Sequence, residues 1–203
     1  MAAQEKRATY ADLEAVPGHL VAEIINGVLR THPRPSLRHG LTATSLSDEL
    51  TAPFQKSRGG PGGWVFSIEP ELHLGEHVLV PDIAGWRRER LPVVPETPFT
   101  DVAPDWICEV LSGSTETRDR TIKMRIYADE GVPHLWLIDP RLQLLEVFEI
   151  SAGRWTHIGA WNSDDQVRAS PFDAISFCLA DLWPLDKPLG MNEDPTPYYA
   201  GDR

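Results

Sequence analysis

Asp105-Trp106-Ile107-Cys108-Glu109-Val110-Leu111 is the stretch on which the reading of the fold turns. Its nearly continuous apolar run is what a strand covered on both faces requires, which places it in the middle of a sheet. Ser112-Gly113-Ser114-Thr115 then supplies a loop and N-cap. A helix is predicted from about 116 to 130, with Ile122 and Ile126 as its apolar ridge and Gly131 as its stop. Residues 134–140 (HLWLIDP) and 144–150 (LLEVFEI) read as a strand pair, and 154–161 (RWTHIGAW) as an edge strand. A segment ending near Leu182-Trp183-Pro184 closes the domain.

Upstream, residues 64–74 (WVFSIEPELHL) alternate apolar and polar, the period of a strand. Residues 77–86 (HVLVPDIAGW) are its expected hairpin partner, and the proline-rich stretch 87–104 an irregular loop. Residues 20–29 (LVAEIINGVL) form a hairpin about Asn26-Gly27. Leu37, Leu41, Leu46 and Leu50 mark an amphipathic helix over 36–57, ended or kinked at Pro53. Thr9 to Glu14 is a short capped helix stopped by Pro17-Gly18. The order of elements predicts a mixed α/β (α+β) sheet with helices on both sides.

The 203 residues carry 30 acidic and 19 basic side chains, a net charge of -11, and are 41% hydrophobic. That balance belongs to an ordinary globular chain and excludes disordered, collagenous and histone-like classes. One domain over 1–186 is expected, with 187–203 a loose tail. The global field repels phosphate, so any nucleic-acid contact needs local positive charge. Cys108 and Cys178 sit in apolar runs without partners at metal spacing, as buried thiols of a reducing compartment do. With no apolar leader and no run long enough to span a bilayer, a cytoplasmic location is expected and no membrane partner.

Walker and dinucleotide glycine loops, a nucleophile elbow and zinc-type histidine clusters are all missing from the sequence. Carboxylates remain. Glu109 interrupts an apolar strand, which is costly unless the charge is paired or bound to metal. If residues 78–86 and 105–111 are neighbours, Asp82 and Glu109 converge, and a divalent cation relieves their repulsion. Hard oxygen donors favour magnesium or manganese. The same spacing is also compatible with a solvent-facing Asp82 and a Glu109 bridged to an arginine, the reading that spacing alone favours. Arg87, Arg88 and Arg90 after one strand, and Arg118, Arg120, Lys123 and Arg125 in the later helix, would make a phosphate-attracting rim, unless Glu89, Glu116 and Asp119 neutralise them.

VPDIAGW at 80–86, WICEVLSGST at 106–115 and the run 119–140 (DRTIKMRIYADEGVPHLWLIDP) together resemble the Uma-two family of restriction endonucleases, within the PD-(D/E)xK nuclease superfamily. AEIINGVL at 22–29 and His39 of SLRHG extend the resemblance over most of residues 10–150. It implies a restriction-endonuclease-like fold, a mixed central sheet flanked by helices with a C-terminal β extension. The implied activity is magnesium- or manganese-dependent hydrolysis of DNA phosphodiester bonds; half-site symmetry would suggest a homodimer. Asp82 and Glu109 would be metal ligands, with the Val110 carbonyl a third. The family's lysine two positions after the acid is Leu111 here, and Lys123 is the candidate replacement, on one helical stripe with Asp119 and Tyr127. Ile122 and Ile126 should face the core and Lys123 the edge of that face.

The catalytic set is thus Asp82, Glu109, Lys123 and Glu23, the last holding a second cation or orienting Lys123. Replacing Asp82, Glu109 or Lys123 by alanine is expected to abolish cleavage with the fold intact. Glu71 is a further candidate for the acidic cluster. His39, Arg87, Arg88, Arg118 and Arg120 are candidate nucleic-acid contacts. Leu135, Trp136 or the strand 155–161 would supply the dimer contact. Leu111 and the charge of -11 also fit a catalytically degenerate nuclease-fold module that binds or regulates. A carboxylate-pair glycosidase would need an aromatic-lined cleft.

Overall fold

A computed structural model describes residues 7–113 and 115–184; the expected tail at 187–203 and Ser114 lie outside the described residues. Helix α1 (Tyr10–Glu14) begins at Thr9, whose hydroxyl accepts from the Asp12 amide while the Asp12 carboxylate accepts from the Thr9 amide. Strands β1 (Leu20–Ile25) and β2 (Val28–Pro33) form the hairpin about Asn26-Gly27, with φ of 53° and 74°, the left-handed pair such a tight turn needs. Helix α2 (Leu37–Leu50) starts at Ser36, whose side chain accepts from the His39 amide, and runs into a π-helical turn, Thr51–Gln55, that contains Pro53.

Strands β3 (Trp64–Ile68), β4 (Glu71–Leu74), β5 (His77–Leu79), β6 (Ile83–Arg87), β7 (Phe99–Thr100) and β8 (Trp106–Val110) follow. A helical segment comes next: α3 (Glu116–Arg118), a π-helical turn (Asp119–Lys123) and α4 (Met124–Asp129). The chain ends in β9 (His134–Asp139), β10 (Leu144–Ser151), β11 (Arg154–Asn162), β12 (Gln166–Val167), β13 (Phe177–Cys178) and a 3-10 turn, Leu179–Leu182.

These strands build a six-stranded sheet in the order β11-β10-β9-β8-β6-β3 and a five-stranded sheet in the order β2-β1-β5-β4-β7, while β12 pairs with β13. β8 and β9 are parallel, joined through the helical segment, and the other pairs of the larger sheet are antiparallel. Alternation along β8 decides what each face meets. Trp106, Cys108 and Val110 join a core with α2 and the C-terminal segment. Ile107 and Leu111 join a second core with Ile126 and Tyr127 of α4 and with Leu72, Leu79 and Ile25 of the smaller sheet. Glu109 therefore points toward the helical segment and the second sheet.

Residues 64–74 are not one strand. Glu69 takes φ of 46° and Pro70 cannot donate to a ladder, so β3 stays with β6 in the larger sheet while β4 pairs with β5 in the smaller. The partner segment breaks opposite, at Pro81-Asp82, and Glu69 N–H donates to Asp82 O across the break. One hairpin thus feeds two sheets, and Asp82 sits where they part. β7, inside the expected irregular loop, pairs in parallel with β4.

Leu135 and Trp136 are fully buried and cannot form a dimer surface. Trp155 of β11 is tied inward, its indole donating to Met124 O. No helix among the described residues is long and apolar enough to cross a membrane.

Phe172, only 1% exposed, packs its ring against Phe54, Trp64, Trp106 and Trp136 at centroid separations of 4.8, 4.9, 5.0 and 5.6 Å. Phe172→Ala should lower stability by about 3–5 kcal/mol in urea unfolding, since this close-packed site leaves little room for collapse. A loss below about 1 kcal/mol would mean that the cluster repacks.

Candidate active site

Four elements deliver ionisable groups to one place. β8 presents Glu109, the break before β6 presents Asp82, the π-helical turn presents Asp119 and Lys123, and β1 reaches across from the smaller sheet with Glu23. Glu23, Glu109, Asp119 and Lys123 are all buried, Lys123 and Glu109 at 3% exposure and Glu23 at 0%. The Lys123 ammonium lies 2.7 Å from Glu109 Oε1, 3.1 Å from Glu23 Oε1 and 3.9 Å from Asp119 Oδ1. It also donates to Val80 O at 3.4 Å, while the Val80 amide donates to Glu23 Oε1 at 3.0 Å.

Lys123 is buried more deeply than the helical stripe predicts, and Ile122 less. A π-helical turn closes a wider ring than an α-turn and so rotates the residues after it, which brings Asp119 and Lys123 onto the sheet side with Ile126 and Tyr127. Tyr127 hydroxyl then donates to Glu109 Oε1 at 2.5 Å. Leu111, 1% exposed, shares the Glu109 face and packs in the second core.

Asp82 is held from both sides. Its Oδ2 accepts from the Val110 amide at 2.6 Å, and its Oδ1 lies 2.7 Å from His39 Nε2. Asp82 and Glu109 line a common cavity of about 180 Å³, together with His39, Asp119, Lys123 and Arg118; Arg34 and Ser36 also line it. Among the described residues no Phe, Tyr or Trp ring lines it, so they offer none of the sugar-stacking surface a glycosidase would show.

Burial sets the electrostatics. It pushes Glu109 up to about 8, against the pull of Lys123 and with the push of Asp119 and Asp82. Burial alone would raise Glu23, but Lys123, the Val80 amide and Arg118 outweigh it and hold that carboxyl below its ordinary value. Burial would lower Lys123, but Glu109 and Glu23 dominate and keep it well above the usual lysine range. Tyr127 is raised by burial and by Glu109.

The remaining expected residues divide. Arg118 lines the cavity, its guanidinium 3.6 Å from Glu23 Oε2. Arg120 turns away to Glu116 and Glu146. Arg87 ends β6 and Arg88 follows it, at the opposite end of the strand from Asp82, where Arg87 stacks on Trp64 at 4.2 Å. Glu71 meets His73 at 2.8 Å and does not line the cavity. Sequence reasoning gave no role to Tyr127 and missed His32 and Arg34. Tyr127 carried a signal, four residues after Lys123, but its partner on β8 is a tertiary fact.

The sequence pattern of the Uma2 family, described as "Putative restriction endonuclease", matches residues 7–180. The chain belongs to the Uma2 family. Its structure is similar to the crystal structure of a "putative nuclease belonging to DUF820" from Anabaena variabilis, with a TM-score of 0.71 and 21% identity, covering 87% of this chain and 98% of that one. The fold is restriction-endonuclease-like, a mixed α+β architecture. No curated protein matches the chain.

The raised Glu109 makes a signed prediction for the Uma2 chain. In the folded protein this carboxyl holds its proton to about pH 8, while unfolded it ionises near 4.5, so the folded state binds more protons between those values. Stability contributed by this group is therefore present below about 4.5 and lost as pH rises toward 8. Urea unfolding in the presence of a chelator should show a decline over that window that Glu109→Gln flattens. An identical decline in both proteins would contradict the assignment.

Proposed function

We propose that this protein is a metal-dependent endonuclease that hydrolyses DNA phosphodiester bonds. The observation that carries the proposal is the convergence of Asp82, Glu109 and a buried Lys123 on one cavity. The family description, the nuclease fold and the chemistry of the donors support it together.

The donor set fits a hard divalent cation. Four carboxylates, Glu23, Asp82, Glu109 and Asp119, face two cations, Lys123 and Arg118, so full ionisation leaves a formal excess of two negative charges. No group of three or more His, Cys, Asp or Glu side chains among the described residues is arranged to hold an ion unaided. Asp82 and Glu109, with the Val110 carbonyl and waters, are the ligands that would hold magnesium or manganese. Such an ion supplies polarisation of the phosphate and acidification of a bound water.

The chain's own groups do the rest. His39 and the Val110 amide fix both oxygens of Asp82, so that carboxylate is aimed before substrate arrives. Glu23, held ionised, keeps the Lys123 ammonium charged at the cavity wall, where it orients the attacking water or stabilises charge developing on the phosphate. Tyr127 donates to Glu109 from below. Lys123 thus stands in for the lysine that Leu111 replaces.

A second reading, a degenerate module that binds without cutting, is favoured by Leu111 and the net charge of -11. The two separate on activity. Asp82→Asn and Glu109→Gln, which keep size and hydrogen bonding, should each reduce magnesium-dependent cleavage of DNA by about a hundredfold or more. Lys123→Ala is a poorer test than the sequence alone implied. Removing the ammonium leaves Glu23 and Glu109 buried and unpaired, at a cost of roughly 3–5 kcal/mol. Wild-type protein without magnesium-dependent activity, or full activity in both carboxamide variants, would refute the nuclease assignment.

A further inference from the structure

We infer that Lys56, Arg58, Arg87 and Arg88 form a second contact surface for the substrate, one that holds the sugar–phosphate backbone of duplex DNA at a distance from the catalytic cavity. The inference rests on the nuclease reading and adds to it the surface that positions the duplex.

The first ground is where the chain brings these residues. Arg58 N–H donates to Ala52 O at 2.8 Å and Gly62 N–H to Pro53 O at 2.9 Å, which folds the loop after the π-helical turn back onto it. Gly60 permits that approach, since a Cβ there would lie 2.5 Å from Pro53 Cβ. Arg88 N–H then donates to Gly63 O at 2.9 Å, and Arg87 is the strand partner of Trp64. Two segments distant in sequence thus place Lys56, Arg58, Arg87 and Arg88, all exposed, at one end of the larger sheet.

The second ground is charge. Elsewhere on this acid-rich chain Arg7, Arg34, Arg90, Arg120, Arg125 and Arg141 are each paired with a carboxylate. Among the described residues Lys56, Arg58 and Arg88 have no ion pair. Arg87 lies over the Trp64 ring at 4.2 Å, a contact that steadies the guanidinium and leaves its charge uncompensated. Glu89 is the one acid within 56–63 and 87–89, so these segments carry a formal +3 on a chain of -11. Unpaired positive charge gathered in this way is what an acidic protein needs to hold a polyanion that its global field repels.

The third ground is the span. His39 meets Asp82 near the start of α2, and the cluster follows its other end, past 14 residues of helix or about 21 Å. β6 covers the same ground, with Asp82 just before it and Arg87 at its end, about 17 Å of extended chain apart. Along a duplex strand, at about 3.4 Å per step, that is roughly five to six base pairs. A duplex is stiff over about 150 bp, so a grip at this distance fixes the direction in which it crosses the cavity. Backbone contacts of this kind set register and orientation and carry no sequence information.

The test is fluorescence-anisotropy binding of a labelled duplex of mixed sequence, at fixed calcium and varied potassium chloride, with magnesium-dependent cleavage of the same duplex followed in parallel. Lys56→Gln, Arg58→Gln and Arg88→Gln combined should weaken binding about a hundredfold at about 0.15 M salt and flatten the log–log salt slope by about 2.7, the value for three phosphates. Arg58→Lys with Arg88→Lys should keep both affinity and slope. Arg154→Gln, which removes an exposed arginine on the opposite edge strand of the same sheet, should change neither. The triple variant should keep its kcat and raise its KM, since the three residues lie outside the catalytic cavity. A loss of less than about tenfold in the triple variant, an equal loss from Arg154→Gln, or no binding of duplex by the wild-type protein overturns the inference. Undiminished binding and cutting by the triple variant overturns the inference and leaves the nuclease reading standing. Loss of binding in the triple variant, with no cleavage by any of the proteins, supports the inference and overturns the nuclease reading.

Discussion

The Lys123 ammonium, held between Glu109 of one sheet and Glu23 of the other, is the constraint on which the candidate site depends. A buried cation is tolerated only when its surroundings return what water supplied. Here two carboxylates and the Val80 carbonyl do so, from β8, β1 and the chain just after β5. The contact therefore does more than neutralise a charge. It fixes the smaller sheet over the helical segment and sets how close Glu23 comes to the cavity.

That arrangement leaves an imbalance. One ammonium and one guanidinium face four carboxylates, and the charge that burial disfavours most collects on Glu109, raised to about 8. A structural ion-pair cluster would be expected to close this gap with arginine. This one leaves acid facing a cavity, along with three unmet buried polar atoms. Strain of that kind persists at functional sites because a ligand relieves it. The buried Leu111 also finds its meaning here. With an aliphatic side chain at that position the second core closes beneath Glu109, and the buried cation is Lys123, twelve positions on.

Much of this was legible in the sequence because the signals were local. Asn26-Gly27 marked a turn that needs positive φ, Ser36 marked a helix start, and the apolar run through Trp106–Val110 marked an interior strand. Asp82 and Glu109 stood out as carboxylates beside apolar strands. What failed was non-local. The period-two pattern over 64–74 continues straight through the point where Glu69 and Pro70 pass the chain from one sheet to the other. Helical spacing placed Lys123 at an edge, but the π-helical turn rotates it under the sheet. Runs of arginine suggested a rim, yet neighbours in sequence on a helix point in different directions, and only Arg118 of its group faces the cavity with Lys123. Arg34 gave no sign, because its place at the cavity depends on where the connection after β2 is folded back.

In the proposed site Asp82 and Glu109 share one divalent ion beside Lys123. A crystal soaked in manganese, with the metal located by its anomalous scattering, tests this directly. A single strong peak is expected within about 2.0–2.6 Å of a carboxylate oxygen from each residue. A soaked crystal with manganese bound elsewhere, and none between these two side chains, would contradict it.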